Sequence, residues 1–285
     1  MKPSHKSAIT RRMFLSLAGR IAAGSLLTVG ALGGYAFWIE PYCIELNYQY
    51  VNLPHLDSQF KGFRMVHISD IHLSSRYNGI QLEKIVDLIL DQKPDLVVIT
   101  GDYITQNNVD LLPQLENPLT RLARHQLTLT SFGNHDHWVD TTQVRKLLAR
   151  SGIIELANQV TTIKQGSARL HIAGVDDPYT GNDDINRVLR HMPVDGAAIL
   201  LVHTPDFADT SAETRRFDLQ LSGHSHGGQV VLPFLGPPII PFMANRYPSG
   251  VYKVGDMIQY TNRGLGTIYP HIRINCRPEI TVFVF

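Results

Sequence analysis

The chain has 285 residues, of which 44% are hydrophobic and 18% are charged, enough for one large globular domain with its own hydrophobic core. Its formal net charge of +1, without a basic stripe carrying interleaved aromatic residues, argues against nucleic-acid binding. Nothing in the pattern indicates an obligate protein partner. Two cysteines, Cys43 and Cys276, make no disulfide framework, so we expect free or packed thiols, with one disulfide as the alternative.

The first 40 residues differ in composition from the rest of the chain. Arg11 and Arg12 are followed by Met-Phe-Leu, which resembles a twin-arginine export signal, and residues 21–39 are uncharged and mildly apolar. A retained membrane anchor of about 20 residues is the alternative, and Arg20 interrupts the apolar character in either case. We therefore predict a signal or anchor over residues 1–40, and a location in the periplasm or on the outer face of the cytoplasmic membrane. Cleavage of this segment stays open.

Residues 41–60 have the composition of a connecting segment, and a regular pattern of elements begins at residue 61. A strand is predicted over 63–69, a helix over 81–91 and a second strand over 95–100. The helix has apolar residues three and four positions apart, and the second strand is continuously apolar, which is typical of burial on both faces. Such a strand–helix–strand unit makes the two strands parallel, so their carboxyl ends lie at one edge of the sheet.

The elements that follow repeat this scheme and then become rich in strands. A strand over 127–132 leads to a helix over 141–151, and another helix is predicted over 185–191. Shorter strands are predicted over 153–156, 160–164, 170–175, 197–202, 219–222, 251–253, 258–262 and 280–285. This order predicts one α/β domain over residues 61–285, built as two sheets flanked by helices.

Residue types that bind metals follow five of these strands. At the carboxyl ends of neighbouring strands, such groups meet in one crevice of the sheet. Oxygen and nitrogen ligands without thiolate suit two divalent ions such as Mn²⁺, Fe²⁺, Zn²⁺ or Ni²⁺. One carboxylate, Asp102, can bridge two ions that lie about 3.5–4 Å apart. The five signals are Asp70-x-His72, Gly101-Asp102, Gly133-Asn134-His135-Asp136, His203 and Gly223-His224-Ser225-His226.

Each signal alone also has an ordinary explanation. An isolated Asp-x-His is commonly a solvated pair, Gly-Asp is a common turn, and a lone His203 could be a hydrogen-bonded core histidine. All five together, each at a strand end, favour a metal centre over coincidence.

The order of the five signals resembles that of the calcineurin-like metallophosphoesterase family. The resemblance covers residues 60–285 and implies a four-layer αββα sandwich. In this sequence Asp136 occupies a position where many relatives carry Glu, a change that leaves the implied ligands intact. The resemblance implies a first metal held by Asp70, His72 and His226, a second held by Asn134, His203 and His224, a bridge at Asp102, and a general acid at His135.

A narrower resemblance is to the bacterial twin-arginine-exported, membrane-associated phosphodiesterase branch of that family. It rests on the leader, on residues 227–229 and 262–266, and on residues 273–279. The resulting prediction is a dinuclear-metal phosphodiesterase in which a hydroxide bridging the metals attacks phosphorus. The substrate would be a phosphodiester, either lipid-linked or nucleotide-linked. A phosphomonoesterase with the same site and a non-catalytic metal-binding envelope protein are the alternatives.

Three further features have two interpretations each. Arg263, in a glycine-rich loop, could bind a phosphate bidentately or could be a surface arginine in a turn. Asp176 and Asp177 could offer another ligand, although an acidic turn before proline explains them as well. Residues 230–243 are apolar and follow His226 directly, so they could touch a lipid chain or pack on their own domain.

Overall fold

The computed structural model describes residues 10–285, so residues 1–9 of the predicted leader lie outside the described residues. Helix α1 (Arg11–Trp38) is capped by Thr10 and is exposed along almost its whole length. The helical segment from residue 11 to residue 42 is long and apolar enough to cross a membrane, because a stretch of 18 residues within it has a mean hydropathy of 1.5. A signal sequence has the same properties, so the helix could be a signal or an anchor.

The first sheet contains six strands in the order β1-β12-β2-β3-β4-β5. Strands β2, β3, β4 and β5 are parallel to one another, whereas β12 runs antiparallel to β2 and parallel to β1. The strands are β1 (Glu45–Tyr50), β2 (Arg64–Ile68), β3 (Leu96–Thr100), β4 (Thr128–Ser131), β5 (Ile154–Glu155) and β12 (Glu279–Val284). Their connections include α2 (Gly79–Asp91), α3 (Glu116–His125), α4 (Asn134–Trp138) and α5 (Thr141–Ser151).

The second sheet also has six strands, in the order β10-β11-β9-β8-β7-β6. Its centre, β7 to β9 with β11, is parallel, and the two edge strands pair antiparallel with their neighbours. The strands are β6 (Gln159–Gln165), β7 (Ala168–Gly174), β8 (Ala197–Leu201), β9 (Leu219–Ser222), β10 (Gly250–Val254) and β11 (Met257–Thr261). The helices of this half are α6 (Ile185–His191) and α7 (Ala208–Glu213).

Buried apolar side chains form three clusters. One contains side chains of both sheets, such as Met65 and Val98 of the first with Ile199 and Leu221 of the second. Another packs α2, α3 and α5 against the first sheet, and the third packs α6 and α7 against the second. The continuous apolar runs of the central strands follow from this, because each strand is buried on both faces.

Strand β1 and helices α3, α4 and α7 have no counterpart in the sequence prediction. Residues 45–50, within the predicted connecting segment, form β1 and pair with β12, so the folded body includes part of that segment. This edge strand is mostly polar and half exposed, so its apolar pattern is weak. Helix α3 is absent from the sequence prediction because a proline usually breaks a helix. Pro118 lies in the first turn of α3, where N–H groups have no partner within the helix, so the missing N–H costs little.

Candidate active site

The loops that follow β2, β3, β4, β8 and β9 converge at one edge of the two sheets. Every predicted ligand on these loops is nearly fully buried. The predicted ligands form two sets, and within each set the ligand atoms lie within 4.8 Å of one another. The first set is Asp70, His72 and His226, and the second is Asp102, His203 and His224. These are six of the seven ligands that the sequence predicts.

Asp102 connects the two sets. One of its carboxylate oxygens, Oδ2, lies 3.4 Å from His72 Nε2 in the first set and 3.1 Å from His203 Nε2 in the second. Within the first set, His226 Nε2 is 3.4 Å from Asp70 Oδ1 and 3.0 Å from His72 Nε2. Within the second, His224 Nδ1 is 3.3 Å from His203 Nε2. The ring nitrogens of four histidines therefore point into one small space beside two carboxylates.

Hydrogen bonds on the outer side of the rings assign the tautomers. His203 Nδ1 donates to the carbonyl of Thr100 at 2.6 Å, and His224 Nε2 donates to the carbonyl of Phe242 at 2.9 Å. In the neutral form of each ring, the opposite nitrogen then keeps its lone pair and faces inward. An imidazole that donates outward and keeps a lone pair inward is arranged as a metal ligand.

The seventh predicted ligand, Asn134, begins α4 directly after β4. Its side-chain oxygen is buried and has no hydrogen-bond partner among the described residues. The next residue, His135, donates its backbone N–H to Asp102 Oδ1 at 2.9 Å, which fixes this turn against the other ligands. An orphaned buried amide oxygen beside inward-facing imidazoles and carboxylates fits a bound cation.

Burial and the neighbouring charged groups shift the pKa values of the site residues. Burial alone would lower the pKa of His203, but the Asp102 carboxylate raises it to about 10. Burial alone would raise the pKa of Asp102, yet His203 and His135 hold it well below its usual range. Burial and the nearby His203 lower the pKa of His224 to about 3. The carboxylates thus create a negative potential that favours positive charge, while His224 stays neutral and able to ligate.

The sequence profile of the calcineurin-like phosphoesterase family matches residues 63–228, which carry every one of these ligands. The chain belongs to the calcineurin-like phosphoesterase family. Membership makes it a metal-dependent phosphoric ester hydrolase, and the clustered histidines and aspartates suggest divalent ions at this centre.

Two relatives of this calcineurin-like phosphoesterase align with almost its whole length, and a third aligns with most of it. It is 38% identical to the uncharacterised metallophosphoesterase YkuE of Bacillus subtilis, over 96% of this chain and 97% of that protein. It is 30% identical to the phosphodiesterase YaeI of Escherichia coli, over 96% and 98%. A transmembrane protein with a metallophosphoesterase domain from Danio rerio is 31% identical, over 80% of this chain and 54% of that protein.

Several candidate ligands of this phosphoesterase have left-handed backbone conformations. The φ angle is 51° at Asp70, 57° at Asp102 and 69° at His224. Left-handed conformations are unfavourable for residues other than glycine, by about 1–3 kcal/mol each, so the surrounding packing must hold them in place. At Gly223 an added Cβ would overlap the side chains of Ser69 and Asp70, so only glycine lets the two sheets approach this closely.

Asp136 makes contacts within the site that the sequence did not reveal. Its buried carboxylate accepts the backbone N–H groups of Asp102 at 2.8 Å, Tyr103 at 2.9 Å and Gly133 at 3.0 Å. Burial and the charge of Asp102 raise its pKa to about 7. Asp136 therefore ties the Asp102 turn to the Asn134 turn, and its place after Asn134 and His135 was the only available signal.

We expect Asp136→Asn to destabilise the fold and weaken metal binding. The amide replaces an accepting oxygen by a donor, which leaves at least one buried N–H unpaired at a cost of about 1–3 kcal/mol. For a domain of this size, the melting temperature should fall by about 2–4 °C per kcal/mol. Calorimetry measures the loss, with Asp91→Asn, an exposed carboxylate at the end of α2, as control. An unchanged melting temperature and metal content would contradict this role.

The remaining predicted residues have other contacts. The Arg263 guanidinium donates to Glu279 at 2.6 Å and lies 3.3 Å from Glu45, so its phosphate contact stays a prediction that would require this ion pair to open. Asp176 accepts from His137 at 2.7 Å and Asp177 Oδ2 accepts the N–H of Thr180 at 2.9 Å, as in an acidic turn, whereas Asp177 Oδ1 is buried without a partner among the described residues, so both interpretations stay open. The thiols of Cys43 and Cys276 are free, as expected, and Cys276 donates to the carbonyl of His226.

Residues 230–243 form an irregular loop beside the site. Its side chains Phe234, Leu235, Ile239 and Phe242 are exposed, and Phe234 is fully so. The alternative that this segment is ordinary core packing therefore does not hold for these four residues.

Proposed function

We propose that this phosphoesterase is a dinuclear phosphodiesterase. The observation that carries the proposal is the position of Asp102 Oδ2, 3.4 Å from His72 and 3.1 Å from His203, between the two ligand sets. One carboxylate shared by two sets of ligands is the arrangement that a two-metal hydrolase needs. The name of the relative YaeI, a phosphodiesterase, supports a diester as the substrate.

We assign Asp70, His72 and His226 to the first ion and Asn134, His203 and His224 to the second, with Asp102 shared. When bound, two divalent ions would activate a water molecule and offset the charge on the phosphoryl oxygens. The ligands mix carboxylate, amide and imidazole, which suits Mn²⁺, Fe²⁺, Zn²⁺ or Ni²⁺. The three hydrophobic clusters support a four-layer αββα sandwich as the frame of the site.

His135 is the group we propose as general acid. Its ring lies edge-on to His72, with centroids 4.7 Å apart, and it is less buried than the ligands. Burial lowers its pKa to about 4 in the absence of substrate and ions. A bound phosphate ester brings negative charge next to this ring, which favours its protonated form. His135 is thereby placed to give a proton to the departing alkoxide.

Hydrolysis of bis- and mono-p-nitrophenyl phosphate by manganese-loaded protein tests the proposal against its alternatives. A phosphodiesterase cleaves the diester and is slow on the monoester, whereas a phosphomonoesterase shows the reverse preference. A protein that binds two metals but cleaves neither would be the non-catalytic alternative. Emission spectroscopy on the same samples gives the number of ions per chain.

We further propose that α1 directs the protein through the twin-arginine route to the outer face of the cytoplasmic membrane. The end of α1 packs on the body of the protein: the Ala36 carbonyl accepts from Arg273 N at 3.0 Å, and Arg76 stacks on Phe37 at 3.5 Å. Glu40, just beyond the helix, accepts from Cys276 N at 2.6 Å. These contacts favour a retained anchor over a cleaved signal.

We expect replacement of both Arg11 and Arg12 by lysine to abolish export. The twin-arginine pair is read by a receptor, so a change that keeps the charge should still remove the signal. Fractionation of cells with an antibody against the body of the protein measures this. Arg20→Lys, in the same helix but outside the pair, is the matched control. Equal export of both variants would rule out the twin-arginine route.

The exposed loop leads us to propose that the substrate is lipid-linked. An exposed apolar side chain gains about 1.5–3 kcal/mol on full burial, so a few of them can hold an acyl chain. We expect Phe234→Ser with Ile239→Ser to reduce hydrolysis of a lipid-linked diester about tenfold or more, while a soluble diester is cleaved as before. Equal rates of the double variant and the wild type on the lipid-linked diester would remove this role.

A further inference from the structure

Three exposed aromatic side chains surround the mouth of the site. We call Trp138, Tyr179 and Phe242 the aromatic rim; they are 42%, 38% and 71% exposed. They come from three separate parts of the chain: the last residue of α4, the turn after β7 and the loop before β10. Exposed aromatic residues that converge on one point have no role in the core of the fold.

Two rings of the rim contact side chains of the site. The ring centroid of Trp138 lies 4.6 Å from that of His135, and the centroid of Tyr179 lies 5.7 Å from that of His224. Within the rim, Trp138 and Tyr179 are 5.6 Å apart, and Tyr179 and Phe242 are 5.9 Å apart. A continuous line of rings therefore runs from His135 through Trp138 and Tyr179 to His224, and Phe242 lies beside Tyr179.

Backbone contacts hold the rim in position. The carbonyl of Phe242 accepts the Nε2–H of His224 at 2.9 Å, so this residue is fixed relative to the metal centre. The Tyr179 turn is closed by Asp177, which accepts the N–H of Thr180 at 2.9 Å. Trp138 ends the short helix that begins with Asn134. Each ring is thus held close to the site: Trp138 by the helix of Asn134, Tyr179 by the turn of Asp177, and Phe242 by its bond to His224.

We propose that the aromatic rim is the subsite for an apolar substituent of the phosphodiester, with Trp138 and Tyr179 as specificity-determining residues. This inference rests on the proposed function. A leaving group that His135 protonates has to lie beside that ring, and the ring of Trp138 is 4.6 Å from it. Aromatic faces and edges bind flat or extended apolar groups and give little to a small polar one.

Binding of three diesters that lack the activated nitrophenyl group tests the subsite: dimethyl, dihexyl and diphenyl phosphate. The chain has two tryptophans, so Trp38→Phe leaves Trp138 as the only fluorescent tryptophan. In this background we expect diphenyl phosphate to change the Trp138 emission and to bind about tenfold or more tightly than dimethyl phosphate. Dihexyl phosphate distinguishes an alkyl from an aryl preference: equal strength means general apolar contact, and weaker binding means ring stacking.

Tyr179→Ala and Phe242→Ala should each reduce the preference for the apolar diesters to less than about threefold, while dimethyl phosphate binds as before. Phe242→Ala keeps the carbonyl that His224 needs. Tyr50→Ala, an 80% exposed ring on β1, is the matched control. Equal weakening of all three diesters, or no apolar preference before substitution, would overturn the subsite. Absence of diester hydrolysis would contradict the proposed function alone, because the titrations do not require turnover.

Discussion

Asp102→Asn is expected to lose both ions and at least about 10³-fold of the hydrolytic rate. Asp102 Oδ2 faces a histidine of each ligand set, and its Oδ1 accepts the backbone N–H of His135. The amide removes one negative charge from both ions at once, and with the ions goes the electrostatic stabilisation that supplies most of the rate. Metal-to-protein ratios after loading and dialysis, together with kcat on a diester, measure both effects.

Two companion variants make this result specific. His226→Ala should chiefly weaken the first ion, because His226 contacts Asp70 and His72 and belongs to the first set alone. Asp91→Asn changes an exposed carboxylate and should leave metal content and rate as they are. If Asp102→Asn protein kept two tightly bound ions, Asp102 would not be the shared ligand.

His135→Ala is expected to keep its metals and lose turnover. Alanine retains the backbone N–H that supports Asp102, so the ligand geometry should survive. Loss of a general acid costs about 10²–10⁴-fold when the leaving group is a poor one, and less for p-nitrophenolate, which needs little protonation. Rates on a diester of each kind and metal analysis on the same preparation measure the difference.

The outcome that would contradict the acid role is an equal loss on both leaving groups together with loss of metal. His135 would then be a ligand, a possibility that its position within 4.8 Å of ligand atoms of His72 and Asp102 makes worth testing. His191→Ala, which removes an exposed imidazole at the end of α6, is the control for a general effect of losing a histidine.

The cluster of candidate ligands could be predicted because each of them lies within a few residues of the end of an apolar strand. Asp70, Asp102 and His203 stand at the ends of runs whose burial on both faces leaves a clear pattern, and parallel neighbours bring such ends together. The strand–helix–strand units of the first half were predictable for the same reason. Strand β1 was not, because a half-exposed edge strand carries no continuous apolar run.

Asp136 and the aromatic rim mark the limit of such prediction. The value of Asp136 lies in three backbone N–H groups that only the folded turns bring within reach. Trp138, Tyr179 and Phe242 lie on three elements up to a hundred residues apart, and an exposed aromatic residue has no periodic signature. Contacts between loops depend on tertiary geometry, whereas strand ends are encoded locally.

The bond from His224 N to Asp70, 154 positions apart in the chain, has a consequence for when the metals can enter. Asp70 follows a strand of the first sheet and His224 a strand of the second, so the complete set of candidate ligands exists only when the two sheets are packed together. Ions held by this set would therefore link the two sheets. Under export in the folded state, the metal would be chosen from the cytoplasmic pool, before the protein reaches the compartment in which it works.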